Sequence, residues 1–402
     1  MKLRKVLAIV LVVAVLAAVG IALTACNDDE DFKVGFIFLH DESSTYDKNF
    51  IDAAKAATAA LGLKESQVLL RVNVPESDAC YNTARELVDA GCDVIFADSF
   101  GHEDFMIKAA REFPEVQFCH ATGTKAHTEG LANYHNAFAS IYEGRYLAGI
   151  AAGMKLKAMY GDATTGAVSN DNAKIGYVGA YTYAEVISGY TSFFLGVKSI
   201  VPNVTMEVTF TGSWYDETAE REGANTLIGR GAKLISQHAD SMGAPSACEQ
   251  ARIPNVSYNG STEASCPNTF IVSSRINWEP YFKYMIEQAK NGEAIVADWT
   301  GTLSNNAVVL TSVGTAAAPG TQEAIDAAKA KLIEGSLHVF DTSKFTVGGQ
   351  TITSYRADVN TDAAFTPDTE VVADGYFHES EYRSAPYFDL RIDGITLLNE
   401  EL

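Results

Sequence analysis

The stretch VGFIFLHDESSTYDKNFIDAAKAATAAL, residues 34–61, decides the fold class. Val34 to Leu39 form an unbroken apolar run, as a strand covered on both faces requires. A short polar link follows, and from Tyr46 to Leu61 an alanine-rich stretch has helical spacing. Strand, short loop and helix in that order open a parallel α/β unit.

The unit recurs along the chain. Strands are predicted at Val68–Val74, Val94–Ser99 and Val116–His120, separated by helices at Ser77–Ala90 and Glu103–Phe113. A polar, glycine-containing break spans Tyr160 to Asn172. The rhythm then restarts, with strands at Ile175–Gly179, Met206–Phe210, Leu234–His238 and Asn255–Asn259, and helices at Glu185–Ile200 and Thr218–Arg230. Two α/β blocks result, with residues 33–140 expected as an N-terminal lobe and 141–274 as a C-terminal lobe. A helix at Trp278–Asn291 and a strand at Ala307–Thr311 come after both. Residues 275–305 are expected to complete the first lobe, and parts of 306–402 the second. Gly348-Gly349 reads as a hairpin turn and Thr361 to Asp374 as loop.

The first 25 residues read as a targeting segment rather than a fold element. Lys2, Arg4 and Lys5 precede an apolar run from Val6 to about Leu23. The run ends in Leu23-Thr24-Ala25-Cys26, which looks like the bacterial lipobox, and a signal peptide with lipidation at Cys26 is expected. A plain membrane anchor is the alternative, since the run is long enough to span a bilayer. The cysteine and the acidic stretch Asn27 to Asp31 favour the lipoprotein, with residues 26–32 as a solvated tether. A formal net charge of −21 repels nucleic acid and excludes it as a partner class.

Cys80, Cys92, Cys119, Cys248 and Cys266 remain, without metal-ligand spacing. Cys248 and Cys266 are a disulfide candidate; buried free thiols are the alternative for all five.

In open parallel sheets, ligands bind beyond the carboxyl ends of the strands, and two such lobes face one another across a cleft. The post-strand positions hold His40 to Tyr46, Asp98-Ser99-Phe100-Gly101, Ala180-Tyr181-Thr182-Tyr183, Ser213-Trp214-Tyr215-Asp216, His238-Ala239-Asp240-Ser241 and Asn259-Gly260-Ser261. Aromatic rings offer stacking faces there, and carboxylates and amides offer hydrogen bonds, a combination suited to a planar heterocycle with or without a sugar. Each ring could instead pack between lobes, and Asp98, Asp216 and Asp240 could cap helices. The strings GxSxG, GxxxxGK[ST], HExxH and GxGxxG do not occur, so no catalytic residue, metal or cofactor is expected.

Several segments resemble the basic membrane protein family of lipoproteins, the purine- and nucleoside-binding subunits of ABC importers. The resemblance runs with interruptions from about Lys33 to Gly335. It is carried by Ser99-Phe100-Gly101, His120-Ala121-Thr122-Gly123, Tyr142-Glu143-Gly144-Arg145-Tyr146-Leu147-Ala148-Gly149, Glu185-Val186-Ile187, Trp214, Gln237-His238-Ala239-Asp240-Ser241, Asn277-Trp278-Glu279-Pro280-Tyr281 and Gly335-Ser336-Leu337-His338. It implies a type I periplasmic-binding-protein fold, two Rossmann-like lobes hinged about a ligand cleft. By that similarity Trp214 stacks on the base, with Phe100 and Tyr46 as candidates for the opposing face and Tyr181 matching an aromatic of relatives. Asp240 and Asn259 would bond the base or ribose, with Ser99 and Glu185 as further contacts. Ser44 stands where close relatives carry Trp, which leaves base, nucleoside or another ring compound open. Glu143 and Arg145 are expected to make an ion pair or lobe linkage instead.

The resemblance further implies permease subunits as partners and a position on the outer face of the membrane, held by the lipid anchor. Rival readings are a ligand-sensing lipoprotein, a surface nucleoside hydrolase and an adhesive lipoprotein.

Overall fold

A computed structural model describes residues 32–359 and 366–400. The expected signal peptide, the expected lipidation site Cys26 and nearly all of the expected tether lie outside the described residues.

The first sheet contains β1 (Val34–Ile37), β2 (Val68–Arg71), β3 (Val94–Ala97), β4 (Gln117–Ala121), β5 (Tyr134–Ala139) and β11 (Asp298–Gly301), in the order β11-β5-β4-β3-β1-β2. Every pairing is parallel. The inner strands β1, β3 and β5 are buried throughout, whereas the edge strand β2 is half-buried; burial on both faces explains why β1 and β3 read as unbroken apolar runs. Helices α1 (Thr45–Ala60), α2 (Asp78–Asp89), α3 (Glu103–Glu112) and α8 (Glu279–Asn291) accompany this sheet.

The second sheet holds β6 (Lys174–Gly179), β7 (Thr205–Phe210), β8 (Ile235–His238), β9 (Asn255–Tyr258), β10 (Phe270–Ile276) and β12 (Val308–Leu310), and a late strand, Ile395–Leu397, joins its edge. The order is β12-β10-β9-β8-β6-β7 and then the late strand. All pairings are parallel except β12 with β10. Its helices are α4 (Ile141–Tyr160), α5 (Ala184–Ile200), α6 (Glu217–Gly229), α7 (Gly243–Ala251) and α9 (Thr321–Glu334).

The chain therefore crosses between sheets more than once. It leaves the first after β5 and returns after β10. Phe282 of α8 sets its ring edge-on against Phe36 and Phe96 of the first sheet, at 5.1 and 4.8 Å. After β11 the chain passes back to β12. Two parallel sheets with their helices, joined by such crossovers, form the two-lobed type I periplasmic-binding-protein arrangement.

Local signals account for the element boundaries. Ser44 caps α1 by accepting from the Asp47 N–H, Ser77 caps α2 through the Ala79 N–H, and Asp216 caps α6 through Thr218 and Ala219. Gly348 and Gly349 both have positive φ, and Val347 and Gln350 exchange backbone hydrogen bonds across them, closing the expected hairpin.

Cys248 and Cys266 do not pair: all five described cysteines are buried free thiols, the second of the two readings given above. One expectation is corrected. The region read as loop contains strand pairs instead: Thr369–Glu370 pairs with Arg356–Ala357, and Val372–Ala373 with Tyr376–Phe377. These pairs are too short to show alternation in sequence. Among the described residues, no helix is long and apolar enough to cross a membrane.

Candidate functional site

The carboxyl ends of β1, β3 and β4 face those of β6, β7 and β8 across a narrow cleft. Tyr46, Ser99, Phe100, Glu185, Trp214 and Asp240 all line it, so six of the expected site residues converge on one space. Leu39, His40, Asp47, Thr122 and His238 complete the lining.

Each lobe contributes aromatic surface. Tyr46 sits in the first turn of α1, its ring edge-on to Phe50 at 4.8 Å and its hydroxyl donating to the Asp98 carbonyl at 2.7 Å. Phe100 begins the turn after β3 and is 37 % exposed. Across the cleft, Trp214 follows β7 and is half-buried. Tyr181 meets it edge-on at 5.0 Å and is itself stacked on Tyr183 at 5.1 Å. Tyr181 is thus a neighbour of Trp214 and is not among the residues lining the cavity. Asn259 also lies off the lining: it has φ 63°, its N–H donates to the Ser274 carbonyl, and its buried amide nitrogen has no hydrogen-bond partner. There it turns the chain after β9.

Polar groups surround the rings. Asp240 follows β8, and burial, reinforced by the charges of Asp47, Glu220 and Glu185, pushes its carboxyl well above the usual carboxylate range. It does not cap α7, since Ser241 Oγ accepts from the Gly243 N–H instead. Burial also raises Asp98, most strongly helped by Asp47. For Asp47 itself burial is opposed and outweighed: His40 and Ser44 hydrogen-bond its carboxylate, and the net effect is a lowered pKa. Ser99 is committed elsewhere, donating to Glu76 Oε1 at 2.5 Å.

His238 is buried, with Nε2 3.2 Å from Glu185 Oε1, and burial lowers its pKa to about 4. Its Nε2 is thereby held on the carboxylate that lines the cleft. Behind it, Arg145 lies 3.4 Å from the Tyr258 ring centroid and donates to the Gln237 carbonyl at 3.0 Å. Arg145 therefore packs within the second lobe and makes no ion pair with Glu143. Among the described residues, no cluster of histidine, cysteine or carboxylate side chains is placed to hold a metal ion.

Ser44 is fully buried, and its hydroxyl bonds Asp47 Oδ2 at 2.6 Å. The position thus serves as a helix cap and offers no stacking face. Asp47 and Thr122 escaped the sequence reading as lining residues. Asp47 lies one residue past the loop that was singled out, and Thr122 takes a left-handed φ of 67° after β4, a bend that pattern alone does not signal.

The sequence model of the family described as Bmp, ABC transporter substrate-binding protein PnrA-like, matches residues 37–336. A purine-binding protein of Brucella abortus (strain 2308) is 33 % identical over 270 residues, 66 % of this chain and 70 % of that one. A candidate ABC transporter glucose-binding protein of Haloferax volcanii, TsgA13, is 28 % identical over 253 residues, covering 63 % of this chain and 60 % of its own length. The ABC transporter solute-binding protein structure from Conexibacter woesei DSM 14684 superposes with a TM-score of 0.61 at 21 % identity, over 76 % of this chain and 98 % of that one, a likeness of fold. With this match over most of its length, the chain belongs to the PnrA-like family of ABC transporter substrate-binding proteins.

Proposed function

We propose that this chain is the extracytoplasmic capture subunit of an ABC importer, tethered through lipidated Cys26, and that it takes a purine base or nucleoside without altering it. The observation that carries this reading is the convergence of Trp214, Phe100, Tyr46 and Asp240 on one interlobe cavity. Rings from both lobes would sandwich a planar heterocycle, while the Asp240 carboxyl and the Glu185 carboxylate read its polar edge. Contacts from both lobes favour the closed form, because only closure makes both sets. The Brucella relative's purine-binding description supports the ligand class.

A thermal-shift panel of purines, nucleosides, glucose and amino acids on residues 27–402 tests the proposal. A ligand bound only by the native state raises its melting temperature with concentration. Purines or nucleosides should do so. A response to glucose alone, in line with the Haloferax relative, would replace the ligand class, and release of free base from a nucleoside would make the protein an enzyme.

A further inference from the structure

The chain beyond the family-matched residues 37–336 is rooted on the second lobe. The strand Ile395–Leu397 pairs with β7, and Arg391 Nη1 donates to the Tyr190 hydroxyl on α5 at 2.8 Å. Phe388 stacks on Phe340 at 4.2 Å, and Phe340 meets Tyr142 of α4 at 5.3 Å. From that root a short loop, residues 380–386, reaches the first lobe. Glu379 closes its base, Oε2 accepting from the N–H groups of Tyr387 and Phe388 at 3.2 and 2.9 Å. Arg383 braces it by donating to the carbonyls of Ala385, Pro386 and Asp358.

The tip of the loop is buried against β11. Ser384 is fully buried, and its N–H donates to Asp298 Oδ1 at 3.0 Å. His127, also of the first lobe, lies 3.7 Å from the other oxygen of that carboxylate. Strand register places the contact on the cleft side. Asp298 pairs with Asn136, Asn136 with His120, His120 with Ala97, and Ala97 with Ile37, the last residue of β1. Asp298 is therefore level with the carboxyl ends that face the cleft. Ala385 and Pro386 accordingly line an opening beside it, together with Thr124 of the first lobe and Tyr183 of the second.

The donor of this bond moves with the second lobe and the acceptor with the first, so rotation of the lobes apart must break it. We infer that the loop 380–386 is a latch, which hooks β11 from the second lobe and holds the interlobe cleft shut before any ligand arrives. The inference does not depend on what the cleft binds.

Hydrogen exchange of residues 27–402 without ligand tests it. The reporter is the Thr45 amide, which donates across the cleft to the Asp240 carbonyl at 3.0 Å and is released when the cleft opens. In Asp298→Ala it should exchange about tenfold faster, the shift expected on losing one hydrogen bond to a charged group. The amides of β3, inside the first sheet, should keep their protection. Replacing residues 380–386 by two glycines should have the same effect while leaving β11 intact. Ser384→Ala, which retains the main-chain donor, should match the wild type. Thr45 exchange unchanged by both the Asp298 substitution and the loop replacement would overturn the inference. So would a loss of β3 protection in step with Thr45 in both, which would make the contact a support of the fold instead of a latch.

Discussion

The carbonyl oxygen of Asp240, on the second lobe, accepts from both the backbone N–H and the hydroxyl of Thr45, on the first, at 3.0 and 3.1 Å. The first turn of α1 is thereby tied across the cleft to the residue whose side chain lines the cavity. A neighbouring link has the same sense: the amide of Asn49, one turn further along α1, donates to the Ile276 carbonyl at 2.6 Å.

Thr45→Val removes one of the two donors to Asp240 and keeps the other. The lost bond should weaken closure by about 0.5–1.5 kcal/mol, which lowers ligand affinity several-fold without unfolding the first lobe. Titration calorimetry with a ligand found in the thermal-shift panel reads the change. Unchanged affinity would show that this bond is made equally in the ligand-free and ligand-bound forms.

Asp240→Asn should stabilise the ligand-free protein, and more so as the pH rises. Burial among Asp47, Glu220 and Glu185 raises the Asp240 pKa above its unfolded value. The folded state therefore holds this proton to higher pH than the unfolded chain does. Its contribution to stability is full below the unfolded pKa and is lost as pH rises through the folded one. An amide has no such proton to lose. Melting temperatures of both proteins at pH 5 and pH 8 check this, and a gap that narrows toward pH 8 would contradict it.

Trp214→Ala should cost roughly 1–3 kcal/mol of binding, the usual worth of one base–aromatic stack. The fold should survive, because Trp214 is only half-buried at the cavity wall. Tyr181→Ala, which removes the ring edge-on to Trp214, should produce a smaller loss by letting the indole move. Equal losses for both would place Tyr181 on the ligand, and no loss for Trp214→Ala would take the indole out of the site.

How far these features can be read without coordinates depends on the residue. β1 and β3 announce themselves because burial on both faces goes with an uninterrupted apolar run, as in Val94–Ala97. β5 hides because His135 and Asn136 are polar yet buried, bonded to Gln117 and to the Ala126 N–H. α7 hides because Gly243 and Pro245 look like breakers, although proline is tolerated in a first turn. Trp214 and Asp240 were legible because each follows a recognisable strand. Tyr181 and Asn259 follow strands equally well but lie off the cavity, since strand ends fix where a residue begins and not where its side chain turns. The irregular stretch from Arg383 to Asp389 carries no periodic signal at all.

The motif Tyr146-Leu147-Ala148-Gly149 has a packing reason of its own. A Cβ on Gly149 would lie 2.2 Å from the Phe193 carbonyl oxygen, and one on Gly196 would lie 2.1 Å from that of Tyr146. α4 and α5 therefore cross backbone to backbone at this glycine pair, and no flexible side-chain end is there to yield. Gly149→Ala or Gly196→Ala must push the helices apart, at a cost at or above about 3 kcal/mol, the upper end of ordinary overpacking. Gly229→Ala, at the exposed end of α6 with nothing near its missing Cβ, is the matched control and should be neutral or slightly stabilising. Denaturant unfolding of the three variants separates close approach from helix propensity. A Gly149→Ala protein as stable as the Gly229→Ala control would mean that the two helices are not in backbone contact.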